Sequence, residues 1–328
     1  MHRRQFLGLG ISALAAGVVA GCASRGGTHA MPLGAASASR EQAQAWNASR
    51  RFLSTRFGNI AYADRGHGQV ALFLHGFPLN SYQWRGAIDR LSPYRRCITP
   101  DSLGLGYTQV APDISITPAT QVEMLTALLD ALSIHDVDLV ANDSGGAVAQ
   151  LFLARHPDRV RTILLTNCDV ENNCPPPAVV PVIELAKQGR FADEWLAPWV
   201  TDKALARSSK GLGGMTFTFP QHLADDTIDM YLGPLVASPQ RKALTNAYAM
   251  GLAPNPLAGV EASLKQSTAP ARIVWGTGDD IFSQDDAAYL DRTLPHSQGI
   301  RRIDGAKLFF PEEFPDVIAE EARKLWAV

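Results

Sequence analysis

A carboxylate and a hydroxyl stand side by side in 139-LVANDSGGAVAQ-150, where a strand pattern runs into a helix pattern. A nucleophile at such a turn needs small residues two positions before it and two and three positions after it, because the backbone there is strained. With Asp143 as the nucleophile, those positions hold one alanine and two glycines. With Ser144 as the nucleophile, the first position holds Asn142, which fits less well. The spacing favours Asp143, whose carboxylate can attack an sp³ carbon and form an alkyl ester.

The elements that position this turn alternate between strand and helix patterns. Two strands joined by a tight turn at Gly58 come first, within 51–66. Short apolar runs typical of buried strands, and segments with helical spacing, then follow in turn: strands at 69–76, 96–101, 137–143, 160–167 and 270–280, and helices at 80–92, 118–134, 147–157 and 315–326. Apolar strands separated by helices indicate an α/β fold with a mostly parallel sheet covered on both faces.

The alternation stops between about 171 and 266, where proline clusters and helical stretches replace the strand patterns. A helical insertion between two halves of a parallel sheet is typical of a cap over the carboxyl edge of the strands, where such folds bind ligands. We therefore divide the folded chain into a first core part at 49–170, a helical cap at 171–266 and a second core part at 267–328.

The first 22 residues form a separate segment with a charged start, a short apolar run and small residues, which is the pattern of an export signal. The order RRQFL at 3–7 resembles the twin-arginine motif, and 19-VAGC-22 resembles a lipobox, which implies lipidation of Cys22. An ordinary cleaved signal with a chance cysteine is the alternative. We predict an exported protein, periplasmic or anchored to the membrane as a lipoprotein, with an Ala-, Ser- and Gly-rich tether at 23–48.

Composition narrows the class of partner. The 328 residues carry a formal net charge of −2, which gives no electrostatic footprint for nucleic acid. No cysteine or histidine spacing typical of zinc is present, and we predict neither a metal nor a cofactor. The expected partner is a small uncharged molecule, with membrane contact only through the N-terminal lipid. Cys168 and Cys174 are close enough in sequence for a disulfide, although a buried thiol near a strand end is the simpler interpretation.

Four motifs occur in a fixed order: 74-LHGFP-78, 100-PDSLGLGYT-108, the turn at Asp143, and 274-VWGTGDD-280. Together they resemble the α/β-hydrolase superfamily over about residues 51 to 326, and specifically its branch with an aspartate nucleophile, the epoxide hydrolases and haloalkane dehalogenases. The ordered set is more specific than any one motif. The resemblance implies an α/β-hydrolase fold and hydrolysis of a small lipophilic substrate through an ester on Asp143.

The resemblance also implies roles around the nucleophile. The backbone N–H groups of Phe77 and Ser144 would form the oxyanion hole used when the ester is hydrolysed. His75 and Gly76 would shape the loop before Phe77 at the substrate, and His75 would not be the base. Trp195 and Trp199 of the cap complete the expected substrate-binding residues.

Three carboxylates compete for the role of acid. Asp279 matches the acid that orients the catalytic histidine in the family, and Asp280 is its neighbouring alternative. Asp169, just after the strand that follows the helix of the turn, occupies a region where some dehalogenases keep their acid.

Leaving-group chemistry separates the two branches. Dehalogenases supply halide donors from a tryptophan after the nucleophile and from a second residue, and this chain has Ser144 and Phe77 at the matching places. Epoxide hydrolases use cap tyrosines to protonate the ring oxygen, and Tyr231 and Tyr248 lie in the cap segment, with Tyr248 the better match. Packing within the cap is an equal explanation for both tyrosines. The indole N–H groups of Trp195 and Trp199 keep the dehalogenase alternative open.

The family's catalytic histidine is absent from 304-DGAKLFFPEEFPD-316, although the residues that flank it in the family pattern are present. Leu308 fills the histidine position and Lys307 a glycine position. Of the other histidines, only His222 in the cap is placed to reach the site, and a partly exposed cap residue is the simpler interpretation of it. Lys307 is a weak candidate base, because its side chain lies one position off the motif.

Without a base, Asp143 can still attack, because a carboxylate is ionised at neutral pH. Hydrolysis of the ester loses the general-base contribution of about 10² to 10⁴ in rate, so we expect alkylation without turnover. The leading hypothesis is therefore an α/β-hydrolase of the epoxide hydrolase or haloalkane dehalogenase type that lacks the usual histidine. The alternatives are a catalytically silent ligand-binding homologue and an esterase that uses Ser144.

Overall fold

The computed structural model describes residues 33–328. The predicted export signal, Cys22 and the first part of the predicted tether lie outside these residues. In the described part of the chain the strands are β1 (Arg51–Thr55), β2 (Gly58–Arg65), β3 (Val70–Leu74), β4 (Arg96–Pro100), β5 (Gln109–Val110), β6 (Val137–Asp143), β7 (Val160–Cys168), β8 (Ala271–Gly276) and β9 (Ser297–Ile303).

Helices precede, separate and follow these strands. They are α1 (Leu33–Ser49), α2 (Arg85–Leu91), α3 (Pro118–Ala131), α4 (Ser144–Arg155), α5 (Val180–Lys187), α6 (Ala197–Thr201), α7 (Lys203–Arg207), α8 (Leu212–Thr216), α9 (Asp225–Val236), α10 (Pro239–Met250), α11 (Glu261–Leu264), α12 (Gln284–Thr293), α13 (Phe310–Glu313) and α14 (Pro315–Trp326).

All the strands belong to one sheet, in the order β1-β2-β4-β3-β6-β7-β8-β9, with β5 paired to β2. The pairings of β2 with β1, β4 and β5 are antiparallel, and every pairing from β4 through to β9 is parallel. Both β3 and β6 are buried along their whole length, as expected for strands covered by helices on both faces. The prediction of a mostly parallel α/β sheet is confirmed, and it brings the carboxyl ends of β3, β6, β7 and β8 to one edge.

The segment between β7 and β8 holds helices α5 to α11 and forms the cap. Polar side chains fasten it to the core. Asn80 Nδ2 donates to the carbonyl oxygen of Met230 at 2.8 Å, and Arg241 donates to the carbonyl oxygens of Gly106 and Thr108 at 2.6 and 2.8 Å. These bonds fix the cap over the carboxyl edge of the sheet.

Helix α1 corrects the prediction of a tether over its last part. Residues 33–49 are helical, and Trp46 is only 1% exposed. Its ring packs edge-on against Tyr82 at 5.8 Å, and the guanidinium of Arg65 lies 4.7 Å from the Trp46 ring centroid. Ala43 and Trp46, three residues apart, share one buried helix face in a segment rich in alanine and serine, which is why composition alone did not reveal it. Among residues 33–328, no helix is both long and apolar enough to span a membrane.

Candidate active site

Asp143 stands at the sharp turn from β6 into α4. Its φ of 54° and ψ of −133° lie outside the regions favoured by residues with a side chain. The turn passes so close to its neighbours that a Cβ on Gly145 would lie 2.6 Å from the carbonyl oxygen of His75. A Cβ on Gly146 would lie 2.3 Å from the Cβ of Cys168. Packing therefore requires the two glycines that helped to single out Asp143 in the sequence.

The Asp143 carboxylate is buried and held by backbone donors. The N–H of Phe77 donates to Asp143 Oδ2 at 2.6 Å. Burial raises the pKa of Asp143 to about 6, the backbone N–H groups of Ser144 and Phe77 oppose that rise, and the charge of Asp279 adds to it. Gly76 permits the approach, since a Cβ there would lie 2.7 Å from the Cβ of Asp143. The carboxylate is thus mostly ionised at neutral pH, with one oxygen fixed.

Asn142, the residue before Asp143, joins the surrounding loops. Its Nδ2 donates to the carbonyl oxygens of Asn167 and Leu308, each at 3.1 Å. Its Oδ1 accepts from Gln83 Nε2 at 2.6 Å, and Gln83 Oε1 accepts from the Gly76 N–H at 2.9 Å. The sequence analysis missed this junction, although a polar residue inside a buried strand was a usable sign of it.

Leu308 is an apolar residue of the cavity wall, at the position where the sequence resemblance predicts a histidine. Its side chain lines the same cavity as Asp143, and the residue is 2% exposed. The neighbouring backbone is held by the Phe309 N–H, which donates to the carbonyl oxygen of Thr216 at 2.9 Å. The backbone of the loop around position 308 is held in place, and the Leu308 side chain carries no proton acceptor.

A cavity of about 440 Å³ lies between the carboxyl edge of the sheet and the cap. Its wall is mostly apolar and aromatic. The ionisable side chains that reach it are Asp143, Asp169, Asp280 and Lys307. No histidine within residues 33–328 lines it. Its size and lining suit a small lipophilic molecule.

Three of the predicted substrate-binding aromatic residues line this cavity: Phe77, Trp195 and Trp199. The Phe77 ring stacks on Tyr248 with centroids 5.3 Å apart, and the Trp195 and Trp199 rings are 5.7 Å apart. His75 and Gly76 are not on the cavity wall, and they shape the loop that carries Phe77.

His75 is a buried structural residue. Its Nε2 accepts from the Ser102 N–H at 3.0 Å, which leaves the proton on Nδ1 to donate to the carbonyl oxygen of Gly76 at 2.9 Å. Burial lowers the pKa of His75, so the ring is neutral. It shapes the loop and supplies no base.

The two predicted cap tyrosines have different surroundings. The Tyr248 hydroxyl lies 3.0 Å from Ser144 Oγ, and Ser144 lines the cavity. Burial raises the pKa of Tyr248, which keeps its hydroxyl protonated. The Tyr231 hydroxyl instead donates to Glu312 and accepts from Arg85 Nη1 at 3.3 Å, away from the cavity. The structure therefore removes Tyr231 from the candidate donors, because Glu312 and Arg85 use its hydroxyl.

Asp279 is held by donors other than an imidazole. Its Oδ2 accepts from Asn167 Nδ2 at 2.7 Å and its Oδ1 from the Ile281 N–H at 2.9 Å. Burial raises the pKa of Asp279 to about 6. Its neighbour Asp280 is exposed and lines the cavity. The Asn167 amide and the Ile281 N–H thus each hold one carboxylate oxygen of Asp279, the residue that the resemblance predicts as the orienting acid.

Asp169 lies on the cavity wall beside Asp143. Cys168 is the register partner of Asp143 across the β6–β7 pair, and Asp169 is the next residue. Burial raises the pKa of Asp169 to about 7, with a further contribution from the negative charge of Asp143. The predicted acid region after β7 thus places a second carboxyl at the candidate nucleophile.

The other residues that the sequence analysis singled out make contacts that do not support a catalytic role. Lys307 Nζ donates to the carbonyl oxygen of Gly214 in the cap at 2.7 Å, so its ammonium is held by a backbone acceptor. His222 lines a separate cavity with Arg85 and Glu312. Cys168 and Cys174 are free thiols rather than a disulfide. Within residues 33–328 there is no group of side chains suited to hold a metal ion.

Curated relatives match parts of this chain. A haloalkane dehalogenase from Mesorhizobium japonicum is 45% identical over 102 residues, which are 31% of this chain and 33% of that protein. A cis-3-alkyl-4-alkyloxetan-2-one decarboxylase from Shewanella oneidensis is 31% identical over 121 residues, 36% of this chain and 38% of that one. Epoxide hydrolase 2 from Siraitia grosvenorii is 40% identical over 114 residues, 34% of this chain and 36% of that one. The matches thus span little more than a third of each relative.

Solved structures match over most of the described chain. A haloalkane dehalogenase from Bradyrhizobium elkani has a TM-score of 0.69 at 25% identity, covering 85% of this chain and 99% of that chain. A thermophilic esterase from Thermogutta terrifontis has a TM-score of 0.66 at 22% identity, covering 85% and 98%, and that likeness shows the fold alone. The sequence also matches the family described as alpha/beta hydrolase fold over residues 70–314. The chain belongs to the α/β-hydrolase fold family.

Proposed function

We propose that this protein acts on a small lipophilic electrophile through Asp143, as an α/β-hydrolase of the epoxide hydrolase or haloalkane dehalogenase type. The observation that carries the proposal is the Asp143 carboxylate, buried at a strained turn, facing an apolar cavity and fixed by the Phe77 N–H at 2.6 Å. A hydroxyl nucleophile at this turn would need a base, whereas a carboxylate needs none. The relatives named as haloalkane dehalogenase and epoxide hydrolase support this class of substrate.

The first step forms an ester. An Asp143 carboxylate oxygen attacks the electrophilic carbon, and the bond from that carbon to the halide or ring oxygen breaks. In the ester, the N–H groups of Phe77 and Ser144, which donate to the Asp143 carboxylate, would polarise the carbonyl oxygen in the manner of an oxyanion hole. A proton for a departing oxygen is available through Tyr248 and Ser144, whose hydroxyl oxygens lie 3.0 Å apart.

The cavity wall offers fewer hydrogen-bond donors to a departing halide than to a departing oxygen. Trp195 and Trp199 line the cavity, but Phe77 and Ser144 stand where a halide-binding pair of side chains is expected. The hydroxyl pair therefore favours substrates whose leaving atom is oxygen, which must be protonated as it departs.

Intact-mass measurement tests this proposal. Purified protein is incubated with styrene oxide and, separately, with bromobutane, and the mass shift is mapped to a peptide. We expect one adduct on Asp143 in the wild type and none in Asp143→Asn. Modification spread over exposed nucleophiles, with none at Asp143, would count against the proposal.

A second candidate function is ligand binding without chemistry. Leu308 favours it, because an apolar side chain completes the wall where the family's base would stand. Such a protein would bind small lipophilic molecules reversibly, with a rise in melting temperature and no covalent adduct. Sustained turnover of an epoxide, haloalkane or ester by the purified protein would rule it out.

We also propose that the protein is exported and that Cys22 carries a lipid anchor. The arginine pair at 3–4 and the VAGC sequence at 19–22 support this. The partner would then be a small molecule met outside the cytoplasm.

A further inference from the structure

Completion of the proposed reaction requires a proton acceptor, and this inference rests on the proposed ester at Asp143. A water molecule that attacks the ester carbonyl must lose a proton. Besides Asp143, the ionisable side chains on the cavity wall in the described part of the chain are Asp169, Asp280 and Lys307. Lys307 donates to the Gly214 carbonyl oxygen at 2.7 Å, and Asp280 is exposed to solvent. Asp169 is the buried carboxyl that remains.

The sheet places Asp169 beside the nucleophile. Asp143 and Cys168 are register partners on adjacent parallel strands, which lie about 4.8 Å apart. Asp169 follows Cys168 at once, and it is 5% exposed. Its backbone is fixed by Gln150, whose Nε2 donates to the Asp169 carbonyl oxygen at 2.7 Å. Two buried carboxyls therefore face one cavity from neighbouring strand ends.

The charges around Asp169 suit an acceptor that is needed only after Asp143 has reacted. Burial is the main cause of its raised pKa, the negative charges of Asp143 and Asp286 raise that pKa further, and the Cys174 thiol donates to the carboxylate and opposes the rise. When Asp143 becomes an ester, its charge disappears and so does its repulsion. The pKa of Asp169 is then lowered, because one of the negative charges that raise it is gone, and this favours the ionised carboxylate.

We propose that Asp169 is the general base for hydrolysis of the Asp143 ester. Water forms a bond to the ester carbonyl carbon and gives one proton to Asp169. The bond from that carbon to the alkyl oxygen then breaks, and the departing oxygen takes the proton back from Asp169. The products are an alcohol and the Asp143 carboxylic acid, which loses its proton to solvent. A nucleophilic carboxylate paired with a second, proton-transferring carboxyl is a known division of roles.

Single-turnover kinetics with styrene oxide test the assignment. Ester formation and ester decay are followed by quenched intact mass in wild type, Asp169→Asn and the exposed control Asp285→Asn. We expect Asp169→Asn to form the ester at a rate within about threefold of wild type and to hydrolyse it about 10²-fold more slowly or worse. Asp285→Asn should match wild type in both steps. Asp169→Glu, which keeps a carboxyl, should recover part of the hydrolysis.

The pH dependence separates a base from a packing role. Ester decay in the wild type should rise as Asp169 ionises and then level off, and this rise should be absent in Asp169→Asn. Two results would overturn the role of Asp169 and leave the proposed function standing. One is hydrolysis of the ester by Asp169→Asn at the wild-type rate, and the other is a wild-type protein that forms the ester and does not hydrolyse it. If no protein forms an ester at Asp143, the proposed function itself fails, and this inference fails with it.

Discussion

At the scale of single residues, the site combines a candidate nucleophile with an apolar residue at the position where the resemblance predicts a base. Asp143 keeps its strained turn and its Phe77 donor, while Leu308 presents carbon to the cavity. Both features could be predicted from the sequence, because small residues mark the turn and the motif residues that flank position 308 are present. The position of Asp169 directly beside Asp143 could not, because it depends on the register of β6 against β7.

Introducing an imidazole at position 308 should supply a base. Leu308→His places a proton acceptor on the cavity wall that Asp143 also lines, with Asp279 at the position of the family's orienting acid. We expect hydrolysis of the Asp143 ester to accelerate by about 10² to 10⁴ if no other base acts, and by less if Asp169 already serves.

Leu308→Asn is the matched control for that variant, since it introduces polarity of similar size without a base. Quenched mass measurements of ester decay give the rates for both. Equal decay in Leu308→His, Leu308→Asn and wild type would show that position 308 does not reach the ester.

The buried carboxyl at Asp169 should lower stability at high pH. Its pKa is raised to about 7 in the folded protein, against about 3.9 in an unfolded chain. Between these values the folded state binds more protons, so the free energy of unfolding falls as the pH rises through that window. Removing the charge with Asp169→Asn should therefore stabilise the protein at pH 8, on the order of 2 to 4 kcal/mol, and have little effect near pH 4.

Urea unfolding at the two pH values measures this difference, with Asp285→Asn as the exposed control. The same shift for Asp169→Asn at pH 4 and pH 8 would contradict the sign of the argument. A gain in stability together with the loss of ester hydrolysis would be the pattern of a functional group kept at a cost to the fold.

At the scale of elements, the hydrophobic periodicity of the sequence predicts the strands and the core helices, but it does not predict α1. Its sequence is rich in alanine and serine, and its buried face rests on Ala43 and Trp46. A tertiary contact with Tyr82, 36 positions away in the sequence, decides that the segment is part of the fold. Local composition carries no information about such a partner.

Removing the Trp46 ring should detach α1. Trp46→Ala deletes a fully buried aromatic side chain, and we expect a loss of about 3 to 5 kcal/mol in the free energy of unfolding. The loss should appear as a lower urea midpoint, with more rapid amide exchange in α1.

Trp46→Phe provides the contrast, because the indole Nε1 is buried without a hydrogen-bond partner. Phenylalanine keeps an aromatic ring in the contact and removes that unpaired donor, so its cost should be smaller than that of alanine. Gln44→Ala, at an exposed position of the same helix, should be near neutral. Equal losses for Ala and Phe at position 46 would contradict the packing explanation.

At the scale of the whole molecule, the cavity is built by distant parts of the chain. Asp143 and Asp169 come from the first core part, Trp195 and Trp199 from the cap, and Leu308 from the second core part. The order of motifs predicts that these parts belong to one site. The cavity volume and the partners of Tyr231 and Tyr248 depend on how the cap docks, which no local pattern encodes.

Fractionation of cells tests the proposed export of the protein. Changing both Arg3 and Arg4 to lysine should retain the protein in the cytoplasm, if the twin-arginine pathway carries it. Cys22→Ser should release an exported protein from the membrane fraction, since a lipidated cysteine is the proposed anchor. Unchanged fractionation of both variants would contradict the N-terminal assignment.

The junction at Asn142 has a consequence for how such a site changes over time. Asn142 holds the loop of Leu308 through a main-chain oxygen, at 3.1 Å, and the Gly76 loop through Gln83. The bond from Asn142 does not involve the side chain at position 308. The residue at position 308 can therefore be exchanged while the hydrogen bond that holds its loop persists, so the chemistry of this part of the cavity wall can change independently of the architecture around it.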